Sequence, residues 1–133
     1  MNKSLSILIV DDNESQARSL QDVLELKGFK VHSAYSGAAA LEILLKHPID
    51  ILLTDVKMPE MDGVTLNREA SKIRPNITTI LMTAFAADEL IQQGIKDGIK
   101  TVLNKPVNID FLVSLFSATQ SRITRPSGNF QVL

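Results

Sequence analysis

Short apolar runs alternate with amphipathic stretches along the whole chain. Leu5 to Val10 (LSILIV) reads as a strand, and residues 14 to 27 as a helix with Leu20, Val23 and Leu24 at helical spacing and Asn13 as N-cap. Gly28 stands where a helix end wants positive φ. Lys30 to Ala34 is a weaker strand. Ser36 caps a second helix that runs to Lys46 and is ended by Pro48. Ile49 to Thr54 is a third strand, Asp62-Gly63 a turn, and 64 to 73 a third helix. Ile77 to Met82, 86 to 96, Ile99 to Leu103 and 108 to 120 continue as strand, helix, strand, helix.

Five such alternations predict an α/β fold with a parallel sheet covered by helices on both faces. The first, third and fourth runs are almost continuously apolar, as strands buried on both faces are. One domain over 1–121 is expected, and 122–133, with Pro126, Ser127, Gly128 and Asn129, reads as a C-terminal tail or linker.

Composition narrows the chemistry. The 133 residues are 44% hydrophobic and carry a net charge of −1, so neither disorder nor a basic surface for nucleic acid or membrane is indicated. Cysteine is absent, which removes thiolate metal sites and disulfides. His32 and His47 are the only imidazoles and lie away from the acidic clusters. A metal here is expected to be a hard cation held by oxygen. No secretory pattern is visible at the N-terminus, and no apolar run approaches the roughly 20 residues that span a bilayer. The expected location is the cytoplasm.

The candidate chemistry stands where the apolar strands stop. Asp11 and Asp12 follow the first strand and Asp55 the third. Ligands of open parallel sheets bind outside the carboxyl ends of the strands. Three carboxylates converging there repel one another unless a cation neutralises them, and Mg²⁺, with its preference for carboxylates and phosphate oxygens, suits the place. Thr83 ends the fourth strand and Lys105-Pro106 follows the fifth. A hydroxyl and an ammonium beside three acids fit a phosphoryl group, whose transfer needs positioning and charge neutralisation above all.

The segments ILIVDDN (7–13), LLTDVKMPEMDG (52–63), ILMTA (80–84) and NKP (104–106) together resemble the response regulator receiver family over roughly residues 5–120. The resemblance implies a flavodoxin-like, doubly wound (βα)5 sheet of order 2-1-3-4-5. It implies Asp55 as phosphoacceptor, Asp12 as Mg²⁺ ligand supported by Asp11, and the backbone carbonyl of Lys57 as a third protein ligand. Thr83 would be the switch hydroxyl. Lys105 would pair with the phosphoryl group and be aimed by a cis bond to Pro106. The implied donor is a sensor histidine kinase or a histidine phosphotransfer protein, and the implied output a downstream effector domain or protein. Helices four and five form a candidate homodimer face. Such a domain is a signalling module that promotes its own phosphorylation and dephosphorylation rather than an enzyme. The family's aromatic residue three positions before the lysine is here Val102, so switching by ring rotation is not expected. Phe85 and Lys57 stand where they can tune the lifetime of the phosphate. The charged side of helix four (Asp88, Glu89, Lys96) reads as a solvated face.

Three other classes fit less well. A haloacid dehalogenase-like phosphatase would place its nucleophile after the first strand in a D-x-D pattern, whereas Asp11 and Asp12 are adjacent. A receiver without phosphorylation would lack site residues that are present here. A flavin site would want Gly, Ser or Thr after the first strand, where this chain is acidic.

Overall fold

The structure, a computed structural model, describes residues 5–85 and 88–124, with side chains to residue 119. The elements run β1 (Ser6–Val10), α1 (Glu14–Leu26), β2 (Lys30–Ala34), α2 (Gly37–Lys46), β3 (Ile51–Asp55), α3 (Gly63–Ile73), β4 (Thr78–Thr83), α4 (Glu89–Lys96), β5 (Thr101–Asn104) and α5 (Ile109–Thr124). All strand pairs are parallel, in the order β2-β1-β3-β4-β5. This is the α/β, flavodoxin-like arrangement expected from the alternation and the motifs.

The strand sequences explain the layers. In β1, Ile7 and Ile9 enter one core with Leu24 of α1 and Leu112 and Phe116 of α5. Leu8 and Val10 enter another with Ala40 and Leu44 of α2 and Leu66 and Ala70 of α3. The period of two that solvates one face of other sheets here feeds two dry layers. Val64, Leu81, Ile91 and Ile99 form a smaller cluster under α4. Phe116 is fully buried and meets Phe29 edge-on, with ring centroids 5.1 Å apart. Each such side chain contributes roughly 1.5–3 kcal/mol relative to exposure.

Helix starts follow side-chain caps. Asn13, Ser36 and Asp62 accept from the backbone N–H of Gln16, Ala39 and Thr65. Gly28 has φ 96°, as its place after α1 requires. At the far end of α2, the Arg74 guanidinium donates to the carbonyls of Leu44 and His47, both at 2.9 Å, and closes that terminus from α3.

Several boundaries shift from the sequence reading, the third strand for instance starting at Ile51 instead of Ile49, and three shifts bear on the argument. The fourth helix starts at Glu89 instead of 86, because Asp88 caps it by accepting from Leu90 N–H. Residues 86 and 87 lie outside the described residues. Asp88 is therefore no member of a solvated helical face, although Glu89 is exposed. The fifth strand starts at Thr101, since the Ile99 N–H closes the end of α4 by donating to the Gly94 carbonyl at 2.9 Å. The last helix reaches Thr124, across the position where the tail was placed; 125–133 lie outside the described residues.

Candidate functional site

The carboxyl edge of the sheet gathers groups from four loops. Asp11 leaves β1, its backbone N–H donating to Ala34 O at 3.2 Å, and the residue is only 3% exposed. Asp55 is the final residue of β3 and pairs in register with Met82 of β4. Carboxylate oxygens of Asp11, Asp12 and Asp55 lie within 4.8 Å of one another. The two neighbouring acids of β1 thus do meet the acid of β3.

Lys105 reaches this edge from the loop after β5, the outer strand of the sheet. Its backbone N–H donates to Thr83 O at 2.8 Å, and the Lys105–Pro106 bond is cis, as the resemblance implied. The ammonium donates to Asp11 Oδ2 at 2.9 Å and stands 3.4 Å from Asp55 Oδ2. Burial pulls the Lys105 pKa down. The hydrogen bond to Asp11 and the charges of Asp55 and Asp11 outweigh it, so the net shift is upward and the lysine is charged. For Asp55, burial raises the pKa, Lys105 lowers it, and burial prevails. One ammonium leaves three acids under-neutralised. The donors are all hard oxygens, and the residues present fit a divalent cation such as Mg²⁺.

The loop after Asp55 is held tightly. Asp55's carbonyl accepts from Thr54 Oγ1 at 2.9 Å, and Gly63 N–H donates to Val56 O at 2.8 Å. A Cβ on Gly63 would overlap the Asp55 carbonyl oxygen, so α3 starts against the backbone of the central acid. Met61 N–H donates to Pro59 O at 2.7 Å around Glu60, whose φ is 70°. That is a tight three-residue turn with a non-glycine residue in the left-handed region, a strained geometry. Among the described residues, the Lys57 carbonyl takes no hydrogen bond. Its side chain meets Asp88 at 3.3 Å, which links this loop to the start of α4.

Thr83 is placed at the same edge, but its hydroxyl is turned into its own loop. It accepts from Phe85 N–H at 2.9 Å and donates to Phe85 O at 3.2 Å. Phe85 itself is 69% exposed. Val102 is partly buried against the cluster under α4. The expected set therefore divides into an assembled part (Asp11, Asp12, Asp55, Lys105) and a hydroxyl engaged elsewhere.

The sequence reading missed two residues. Gln16 Oε1 accepts from Lys105 Nζ at 3.2 Å. Its signal was its place in the first turn of α1, three residues after the capping Asn13 that follows the paired acids. The second is Asp88, which reads as surface in the sequence although an Asp immediately before Glu89-Leu90 is a cap signal. A groove of about 670 Å³ opens beside the cluster, lined by Gln16, Leu20, Val23, Met82, Lys105 and Val107 among others.

The family model described as response regulator receiver domain matches residues 7–117. The chain belongs to that family and is a receiver domain of two-component signalling. Among its relatives, the sensor histidine kinase RcsC of Salmonella typhimurium is 34% identical over 93% of this chain, which covers 13% of that protein. The transcriptional regulatory protein ZraR of the same organism is 38% identical over 81% of this chain and 24% of its own length. The chain thus spans a quarter or less of these relatives. A crystal structure of a CheY-like receiver domain protein from Methanospirillum hungatei superposes with a TM-score of 0.84 at 28% identity, covering 90% of this chain and 96% of the other. Among the described residues, no helix is long and apolar enough to cross a membrane.

Proposed function

We propose that Asp55 accepts a phosphoryl group from a phosphohistidine and that this sets the signalling state of the domain. One observation carries the reading: oxygens of Asp11, Asp12 and Asp55 lie within 4.8 Å, with the Lys105 ammonium 3.4 Å from Asp55 Oδ2. An Asp55 oxygen attacks phosphorus, the phosphorus–nitrogen bond of the donor breaks, and an aspartyl phosphate results. Asp11, Asp12, Asp55 and the Lys57 carbonyl would hold Mg²⁺, which when bound supplies charge neutralisation for the phosphoryl oxygens. Lys105 transfers its hydrogen bonds from the carboxylates to the new phosphoryl oxygens.

Thr83 must leave Phe85 to reach that group. Because Thr83 and Phe85 precede α4, its release moves the start of that helix. Val102 offers no ring, so the change passes through this loop and the Lys57–Asp88 pair. Phe85 and the Lys57 side chain control how readily water reaches the phosphate. The donor is a sensor histidine kinase or histidine phosphotransfer protein, the recipient an effector domain or protein, and the location the cytoplasm. Faces of α4 and α5, with Ile95 and Phe111 about half exposed, form the surface for output or for a homodimer.

Incubation with acetyl phosphate and Mg²⁺, followed by intact mass measurement, tests the reading. The wild type should gain one phosphoryl group and Asp55→Asn none. Equal labelling of both proteins would remove Asp55 from the role.

A further inference from the structure

The Lys105 ammonium is held by more than the acids. Asp11 Oδ1 accepts from Asn13 N–H at 2.9 Å. Asn13 Oδ1 accepts from Gln16 N–H at 3.1 Å, Gln16 Oε1 accepts from Lys105 Nζ at 3.2 Å, and Lys105 Nζ returns to Asp11 Oδ2 at 2.9 Å. These bonds form a closed circuit through the end of β1, the first turn of α1 and the loop after β5. Its members have different duties. Asp11 is among the acids that would face a cation, and Lys105 is the group that must meet phosphate. Asn13 is already spent capping α1. Gln16 is the only neutral side chain in the circuit that touches the ammonium.

We infer that Gln16 is a positioning residue that orients Lys105 for the phosphoryl group; the inference rests on the phosphoacceptor reading of Asp55. An ammonium has three donors, and here they face Asp11, Asp55 and Gln16. Two carboxylates alone would draw it onto the acids. The amide oxygen adds a third, neutral acceptor, and Gln16 and Lys105 line the same groove as Asp11. The ammonium is then tied to three acceptors and keeps one orientation at the edge where the phosphoryl group would be added to Asp55. A neutral acceptor suits this task because it anchors the ammonium without adding another negative charge beside Asp11, Asp12 and Asp55. Gln16 acts only through Lys105. It is also exposed, so its removal leaves the core untouched and its effect is modest.

Gln16→Met keeps the length of the side chain and removes the oxygen, whereas Gln16→Glu keeps an oxygen at the same reach. The side-chain NH₃⁺ signal of Lys105 is recorded by ¹H–¹⁵N NMR in metal-free protein. Acetyl phosphate labelling with Mg²⁺ is followed in parallel by phosphate-affinity electrophoresis. Gln16→Met should shift or broaden the Lys105 signal and slow labelling by about 2- to 5-fold, the scale of one exposed charge-assisted hydrogen bond. Gln16→Glu should retain a sharp Lys105 signal. An unchanged signal and rate in Gln16→Met, with the wild type labelled normally, would overturn the role of Gln16 alone. A wild type that takes no label would overturn the phosphoacceptor reading and this inference with it.

Discussion

Gly63 and Gly94 are both helical glycines in buried places, yet the structure assigns opposite outcomes to their replacement by alanine. At Gly63 a Cβ would overlap the Asp55 carbonyl oxygen and lie 3.2 Å from Thr54 Cγ2. Backbone cannot step aside as a side chain does, so α3 or the end of β3 must shift. Overpacking of this kind costs about 1–3 kcal/mol, against a helix-propensity gain of at most about 1 kcal/mol. The net is a loss of up to about 3 kcal/mol, or as much as roughly 11 °C in Tm for a domain of this size. At Gly94 the nearest atoms to the new methyl are side-chain methyls of Ile99, Leu81 and Val64, at 3.2–3.3 Å. These yield by a few tenths of an ångström, and the propensity gain offsets the crowding to within about 0.5 kcal/mol. Urea titration with thermal melts of both variants reads the contrast. Gly63→Ala also displaces the backbone of Asp55, the proposed phosphoacceptor, so its labelling by acetyl phosphate should slow by about 10- to 100-fold, while Gly94→Ala stays near wild type. Equal stability and equal labelling in the two variants would refute the claim that Gly63 is required by the backbone of Asp55.

Other consequences follow from single features. Glu60→Gly should stabilise the domain by about 0.5–1 kcal/mol in urea, because φ 70° strains any residue with a Cβ. His32 stacks on His47 with centroids 4.6 Å apart, and burial first, then His47 and Lys30, lower its pKa. A lowered pKa means the unfolded chain takes the proton first. Its contribution to stability is therefore present above the ordinary histidine value of about 6.5 and is lost as pH falls through the lower folded value. Melts across that range should show the loss in wild type and a flatter profile in His32→Gln. Replacing Phe85 and Lys57 together by alanine should shorten the lifetime of the phosphorylated state severalfold in a decay time course; an unchanged lifetime would remove both from control of water.

The sequence carried the sheet and the acidic cluster because both are written in local signals. The apolar runs that end at Val10 and Thr54 are nearly continuous, and the acids follow them directly. Strand order then decides which acids meet, and β1 beside β3 brings Asp11 and Asp12 to Asp55. What the sequence concealed depends on rotamers and on distant partners. The engagement of Thr83 with Phe85 is a side-chain orientation that no spacing reports. The Lys105–Gln16 contact joins residues 89 positions apart. The boundaries of α4 and β5 moved because Asp88 and Ile99, which look like ordinary helix and strand members, serve as terminal hydrogen-bonding groups.

The acyl phosphate can be trapped where it forms. After labelling with acetyl phosphate and Mg²⁺, borohydride reduction converts a phosphorylated aspartate to homoserine, which peptide mass spectrometry then locates. Homoserine at position 55, absent when Mg²⁺ is chelated, is the expected result. Homoserine at position 11 or 12 instead, or an unmodified chain in the presence of the metal, would contradict the account.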